Sequence, residues 1–457
     1  MSGKMDKFME IGGRIGAQRH LAAIRDGFVI IMPLMILGSM VTLINNLPIE
    51  AYQNFMEMIF GGDTWKQFGG AVWTGTFAIV SLLIAFTIAY QLARSYDKDG
   101  LSAGVVAFAS LLTITTPIAE GSGLPLIWAG SQGLFIAIIV ALVSTEIFTR
   151  LLGSKRLVMK MPPSVPPAVS KSFAALFPAM IAISVFGLVK VFTIVAGMPD
   201  IHQAFFDALQ EPVSKLANTP ASAIVIALIV HVLWFFGLHG ANVMEPVMQA
   251  VYLPAIEANI KAFEAGIEIP YIVTKPFFDA FMYLGGTGAT LGLIIAVFIA
   301  GRRHKHYRNV SGLSAGPGIF NINEPILFGF PIVLNPLLII PFILTPVVLV
   351  IFSYIMIATG IVPKTVNLIP WTTPPIIGGF LATGSMKGAL LAAVNLVISI
   401  VIYLPFVKIA ERIEVKKLQE ELALQQEMVS SHQEDVIAEQ EVPTSQPEEK
   451  PLISSRK

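Results

Sequence analysis

Residues 311–331 read SGLSAGPGIFNINEPILFGFP. The run is apolar enough for a membrane, yet Pro317, Pro325 and Pro331 and its glycines forbid a straight helix. Glu324 sits in the middle of it. A charge at mid-bilayer costs about 2.5–3.5 kcal/mol on insertion scales, so an intramembrane carboxylate points to a functional role. Pro325 keeps the residue before it out of a comfortable helical conformation and frees local backbone groups. Asn323 adds a donor and an acceptor, and the Glu324 carboxylate accepts several hydrogen bonds. A ligand with many hydroxyls needs such a set. The structural alternative is a Glu that pairs with a buried Lys or caps a half-helix.

Residues 362–385, VPKTVNLIPWTTPPIIGGFLATGS, repeat the pattern, with Pro363, Pro370, Pro374 and Pro375 followed by Gly378 and Gly379. Broken backbone at membrane depth is tolerated only inside protein or along a wet cavity. In transporters, such segments build the substrate site. Both stretches are therefore expected to be re-entrant hairpins that enter and leave on one side; ordinary surface loops would be less apolar.

Composition supports the setting. The 457 residues are 54% hydrophobic and 13% charged, half the charge of a typical soluble domain, with a mean hydropathy of +0.73. A polytopic membrane protein follows. Lys+Arg and Asp+Glu both total 30, so net charge identifies no partner. Without cysteine, there is no disulfide, thiolate metal site or cysteine nucleophile.

Spanning helices need roughly 20 apolar residues. Stretches 23–44, 71–92, 101–118, 132–152, 174–197, 221–238, 280–301, 333–358 and 386–408 fit. Basic residues place the N-terminus, Arg94 with Lys98, and the group Arg150, Lys155, Arg156, Lys160 and Lys171 on the inside. Acidic loops at 45–70, 119–131 and 198–219 fit the outside. The most basic run, GRRHKHYR at 301–308, reaches the inside only if residues 241–279 add one crossing. That gives about ten crossings with both termini cytoplasmic. Residues 1–25, with Phe8, Ile11, Ile15 and Ile24 on one face of a helix extending to 26, read as an interfacial amphipathic segment. The polar tail 411–457 starts as a helix, and its final proline-containing part is expected to be disordered.

A second polar cluster is LWFFGLHGANVMEP, residues 233–246. His239 lies between Gly237 and Gly240, where a turn lets a ligand approach, and it both donates and accepts at neutral pH. Trp234 and Asn242 flank it. Trp371 offers an aromatic face for sugar C–H groups, beside Thr372 and Thr373. The alternatives are a structural histidine at a helix end and interfacial tryptophans. Lys190, Lys275 and Asp279 read as structural pairs without an assigned role. There is no phosphate-binding G-x-x-x-x-G-K-[ST] loop and no persuasive metal set around His231. GGTGATLG at 285–292 reads as small residues for close helix packing. GRRHKHYR beside a span reads as a positive-inside loop, not a nucleic-acid patch.

FNINEPILFGFPIVLNP at 320–336, with FGLHGANV at 236–243 upstream, resembles enzyme IIC, the membrane component of bacterial sugar phosphotransferase systems. The similar branch is that for lactose, cellobiose and N,N′-diacetylchitobiose, and the resemblance spans about residues 5–410. It implies an all-α elevator-type homodimer in the bacterial plasma membrane. Residues 26–200 would be the dimerising scaffold half, with five spans, and residues 201–410 the sugar-carrying half with two hairpins. Glu324 and His239 would contact sugar hydroxyls, Glu324 engaging the hydroxyl that becomes phosphorylated and serving as a candidate general base. Asn323, Trp234, Trp371 and Asn242 complete the expected pocket. The phosphoryl group would come from a separate phosphorylated IIB, with IIA upstream. The branch carries IIB phosphate on a cysteine, which this chain lacks, and the tail is too short for IIA. The basic loops 150–171 and 301–308 are candidate IIB docking surfaces. No cofactor is expected. Two competing functions are an ion-coupled sugar transporter, with Glu324 and Asp279 as ion sites, and a non-transporting scaffold. The polar groups inside broken membrane segments argue against the scaffold.

Overall fold

A computed structural model describes residues 18–440 apart from 119–122, 155, 158–161, 163–164, 199, 302–304, 331 and 333–335. Phe8, Ile11, Ile15, Lys155, Lys160, Arg302, Arg303, His304 and the tail beyond 440 lie outside the described residues, so the expectations placed on them are not addressed by the structure. Among the described residues every regular element is helical. The main helices are α1 (Arg19–Asn45), α2 (Val80–Ser95), α3 (Gly100–Ile114), α4 (Leu134–Leu152), α5 (Pro167–Val195), α6 (Pro220–Phe235), α7 (Gly240–Val247) and α8 (Leu253–Glu264). They are followed by α9 (Lys275–Phe281), α10 (Thr290–Ala300), α11 (Lys305–Ile319), α12 (Glu324–Gly329), α13 (Pro336–Ala358), α14 (Pro375–Thr383) and α15 (Met386–Gln440).

Local sequence sets many of the boundaries. Gln18, Asp99, Thr219 and Thr274 cap α1, α3, α6 and α9 with side-chain oxygens. Pro220 and Pro276 occupy first-turn positions, where a missing N–H costs nothing. The first helix begins at Arg19 and runs to Asn45, so residues 19–25 continue directly into a helix long and apolar enough to cross a membrane.

Among the described residues, six helices are long and apolar enough to cross a membrane, or seven if Ile201–Ala217 and Pro220–Trp234, bent by 85°, count as one. This is fewer than the sequence pattern suggests. The stretch 101–118 yields a 15-residue helix. The stretch 280–301 is not a single helix: α9 ends at Phe281, and α10 starts at Thr290. Between them Gly285, Gly286, Gly288 and Ala289 all have positive φ, from 53° to 92°. The expected crossing at 241–279 is helical from Gly240 to Glu264 through a π-helical turn at Met248–Tyr252, then irregular to Lys275.

Burial divides the chain into two packed regions with a seam. Leu82, Leu111, Val140 and Phe186 pack together in the first region, as do Ala103, Phe148 and Ala182. Tyr252, Phe277, Phe281 and Ile369 form one core of the second, and Trp234, Leu293, Phe330 and Tyr403 another. The seam packs Phe28, Ile31 and Met35 of α1 with Val80 and Ile84 of α2 against Ala250, Leu253, Ile256 and Leu368. Ser131 Oγ also crosses it, donating to Glu257 Oε2 at 2.6 Å. Phe173, Phe177, Met180, Leu188 and Phe192 of α5 face outward, an apolar surface suited to lipid.

Candidate functional site: a polar cavity at the seam

A cavity of about 350 Å³ opens beside the seam, within the range of small-molecule sites. His239, Asn242, Asn323, Glu324 and Trp371 all line it, although the sequence spreads them over more than 130 residues. Trp234 stands behind: it is 3% exposed, and its ring packs on His239 with centroids 4.5 Å apart.

His239 caps α7. Its Nδ1 accepts from the Asn242 amide N–H at 3.2 Å, so the neutral ring carries its proton on Nε2. Nε2 points at Glu324 Oε1, 3.4 Å away. Both side chains stay partly open, 33% and 46% exposed, so this long contact leaves hydrogen-bonding capacity for a ligand. The tight turn before α7 needs Gly240, because a Cβ there would lie 1.8 Å from the Val230 carbonyl oxygen.

Glu324 is the first residue of α12, and its position is fixed by the two asparagines before it. Asn321 has φ 62° and is 5% exposed. Its Nδ2 donates to the Trp371 and Thr373 carbonyls at 2.7 and 2.9 Å, and its Oδ1 accepts from Gly285 N–H at 2.8 Å. One amide thus ties both broken stretches to the glycine break. Asn323 Nδ2 donates to the carbonyl and hydroxyl of Thr287 at 2.7 and 2.9 Å. Asn323 lines the cavity, but its amide nitrogen is already engaged. Gly286 makes this seat possible: a Cβ would meet Asn323 Cγ at 2.6 Å and the Asn321 carbonyl at 2.7 Å. His231 is a structural neighbour, accepting from Gly288 N–H at 2.8 Å.

Sequence reasoning missed two parts of the cavity. One is the apolar wall from α1, with Phe28, Ile31, Met32 and Met35. The other is a partly buried polar group of Glu245, Gln249, Lys275 and Asp279. The i,i+4 spacing of Lys275 and Asp279 was legible as a pair, but not its place on the cavity wall.

The arrangement has the chemistry of a polyhydroxylated ligand site: a carboxylate, an imidazole, amides and an indole around an apolar floor. A family model for the phosphotransferase system EIIC matches residues 25–346. The lichenan permease IIC component of Bacillus subtilis (strain 168) is 43% identical over 427 residues, covering 90% of this chain and 94% of its own. The cellobiose-specific EIIC component of Geobacillus stearothermophilus is 40% identical over 423 residues, covering 89% and 93%. Among solved structures, the transporter ChbC, the IIC component from the N,N'-diacetylchitobiose-specific phosphotransferase system, superposes with a TM-score of 0.83. It is 39% identical and matches over 90% of this chain and 98% of its own. The chain therefore belongs to the phosphotransferase system EIIC family and is a multi-pass membrane permease component of such a system.

Proposed function

We propose that this permease binds a β-linked disaccharide of the cellobiose or diacetylchitobiose type and presents it for phosphorylation by a separate phosphorylated IIB, itself charged by IIA. The observation that carries the reading is the meeting of His239 and Glu324, 85 positions apart, at 3.4 Å on the wall of one cavity with Trp371 and Asn242. The names of the cellobiose and lichenan relatives and of ChbC support the same sugar class.

Glu324 receives the hydroxyl to be phosphorylated, and His239 Nε2–H donates to a neighbouring hydroxyl. The Glu324 carboxylate takes the hydroxyl proton as the oxygen attacks phosphorus, and the thiol of IIB leaves as thiolate. Asn242 and Trp371 contact the ring, Trp234 holds the imidazole, and Asn323 places the carboxylate. About ten crossings, with 311–331 and 362–385 as re-entrant hairpins, put both termini in the cytoplasm. Two copies associate through the first region, and the second region carries the sugar across by a rigid-body movement. IIB docks against the basic segments at 150–171 and 301–308.

The test is binding of a panel of β-linked disaccharides to purified protein. One sugar should bind the wild type, and Glu324→Ala should weaken it by at least tenfold. Unchanged binding in Glu324→Ala removes this residue from the pocket. Glu324→Gln keeps shape and most hydrogen bonds; full phosphorylation by that variant rules out the base.

A further inference from the structure

The polar group of Glu245, Lys275 and Asp279, which lines the same cavity as Glu324, has one cation and two carboxylates. Lys275 Nζ donates to Asp279 Oδ2 at 3.0 Å and Oδ1 at 3.3 Å but stands 3.9 Å from Glu245 Oε1. The near pair balances itself, and both of its side chains are shielded, 12% and 4% exposed. Glu245 is the surplus carboxylate. Its side chain is 29% exposed, and it lines the cavity. A carboxylate in an apolar setting is unfavourable unless donors surround it. The protein supplies Gln249 Nε2, at 2.6 Å from Oε1.

Gln249 is a second polar group out of place in an apolar wall. It is 6% exposed and lines the cavity, and among the described residues its Oε1 has no hydrogen-bond partner. Flipping the amide would turn that oxygen against the Glu245 carboxylate, so the described residues leave it unsatisfied in either orientation. Gln249 also lies in the π-helical turn Met248–Tyr252. Pro254 follows that turn; it has no N–H, and its ring excludes the carbonyl four residues back. Such turns often mark functional sites. Along the helix, Glu245 is six residues from His239, about 9 Å at roughly 1.5 Å per residue. That is further than one pyranose ring spans.

We infer that Glu245 accepts hydrogen bonds from hydroxyls on the second ring of the bound disaccharide, the ring remote from Glu324, and so selects hydroxylated two-ring glycosides over aryl β-glucosides. Gln249 and Lys275 are positioning residues that hold its carboxylate. This rests on the proposed function and names the second half of the same site.

The experiment compares cellobiose with phenyl β-D-glucoside, which keeps the first ring and replaces the second by a ring without hydroxyls. Affinities are measured on the purified full-length chain. Glu245→Leu is expected to lower the cellobiose-to-phenyl-glucoside affinity ratio about tenfold, because it removes acceptors built for hydroxyls. Glu245→Gln, which keeps one acceptor oxygen, should fall between. An unchanged ratio in Glu245→Leu overturns the inference. If that variant does not fold, cellobiose analogues lacking one second-ring hydroxyl each are tested on the wild type. At least one should bind about tenfold more weakly, and a flat series overturns the inference. A wild type that binds neither glycoside, nor any disaccharide of the panel, defeats the proposed function and this inference together. Binding that needs Glu324 but shows a ratio insensitive to Glu245 defeats this inference alone.

Discussion

Asn321→Ala should unseat the site without touching any group expected to contact sugar. The side chain makes three hydrogen bonds to backbone, a buried one from Gly285 N–H and two partly buried ones to Trp371 O and Thr373 O. Each contributes about 1 kcal/mol net, and leaving a buried partner unmet costs about 1–3 kcal/mol. Two carbonyls and one N–H are stranded, and alanine tolerates φ 62° less well than asparagine. A total of about 3–5 kcal/mol follows, a large share of the 5–15 kcal/mol that holds an ordinary domain together. Thermal unfolding followed by tryptophan fluorescence should shift down by about 5 °C or more, and disaccharide affinity should fall with it as α12 loosens. Asn321→Asp is a sharper probe. One oxygen still accepts from Gly285 N–H, but the other faces two carbonyls, so repulsion replaces two bonds. A variant Asn321→Ala with the wild-type midpoint and affinity would refute the idea that this amide joins the two broken stretches.

Two further perturbations test the packing around the cavity. Gly286→Ala should destabilise by about 2 kcal/mol or more and weaken sugar binding, because its Cβ would press on Asn323 and Asn321 at φ 92°; a melting temperature within a degree of wild type counts against that crowding. Lys275→Met should cost about 3–5 kcal/mol by leaving Asp279 and Glu245 without their cation. The double change Lys275→Met with Asp279→Leu should recover part of that loss in the same unfolding assay, and no recovery would show that the pair is not what matters.

Much of the site is legible in sequence because membrane context makes polarity conspicuous. Glu324 and His239 stand out where apolar residues are the rule, and proline and glycine beside them announce broken backbone. The partners of that carboxylate are less visible. Asn321 and Asn323 lie in the same short motif, yet nothing local says that both amides reach across to residues 285–287. The break at 282–289 escaped notice for a related reason. Hydropathy averaged over a window hides the near-neutral Gly-Gly-Thr-Gly among its apolar neighbours, while four positive φ angles decide that the chain cannot continue as a helix there. Lys275 and Asp279 look like a routine i,i+4 pair, and only the fold puts Glu245 within 3.9 Å. The helical class followed from composition, whereas the number of full-length spans did not, since short and bent helices share the same apolar content.

The wall of the cavity has unequal sides. From α1 come mainly Phe28, Ile31, Met32 and Met35, whereas the hydrogen-bonding groups belong almost wholly to residues after 238. A sugar held there is tethered on one side and merely touched on the other. Should the regions part along the seam, contact with α1 is the weak link, costing about 25 cal/mol per Å² of apolar surface wetted, while the directional bonds stay whole. Under the proposed rigid-body movement the cargo would go wherever the second region goes, with no rebuilding of the grip.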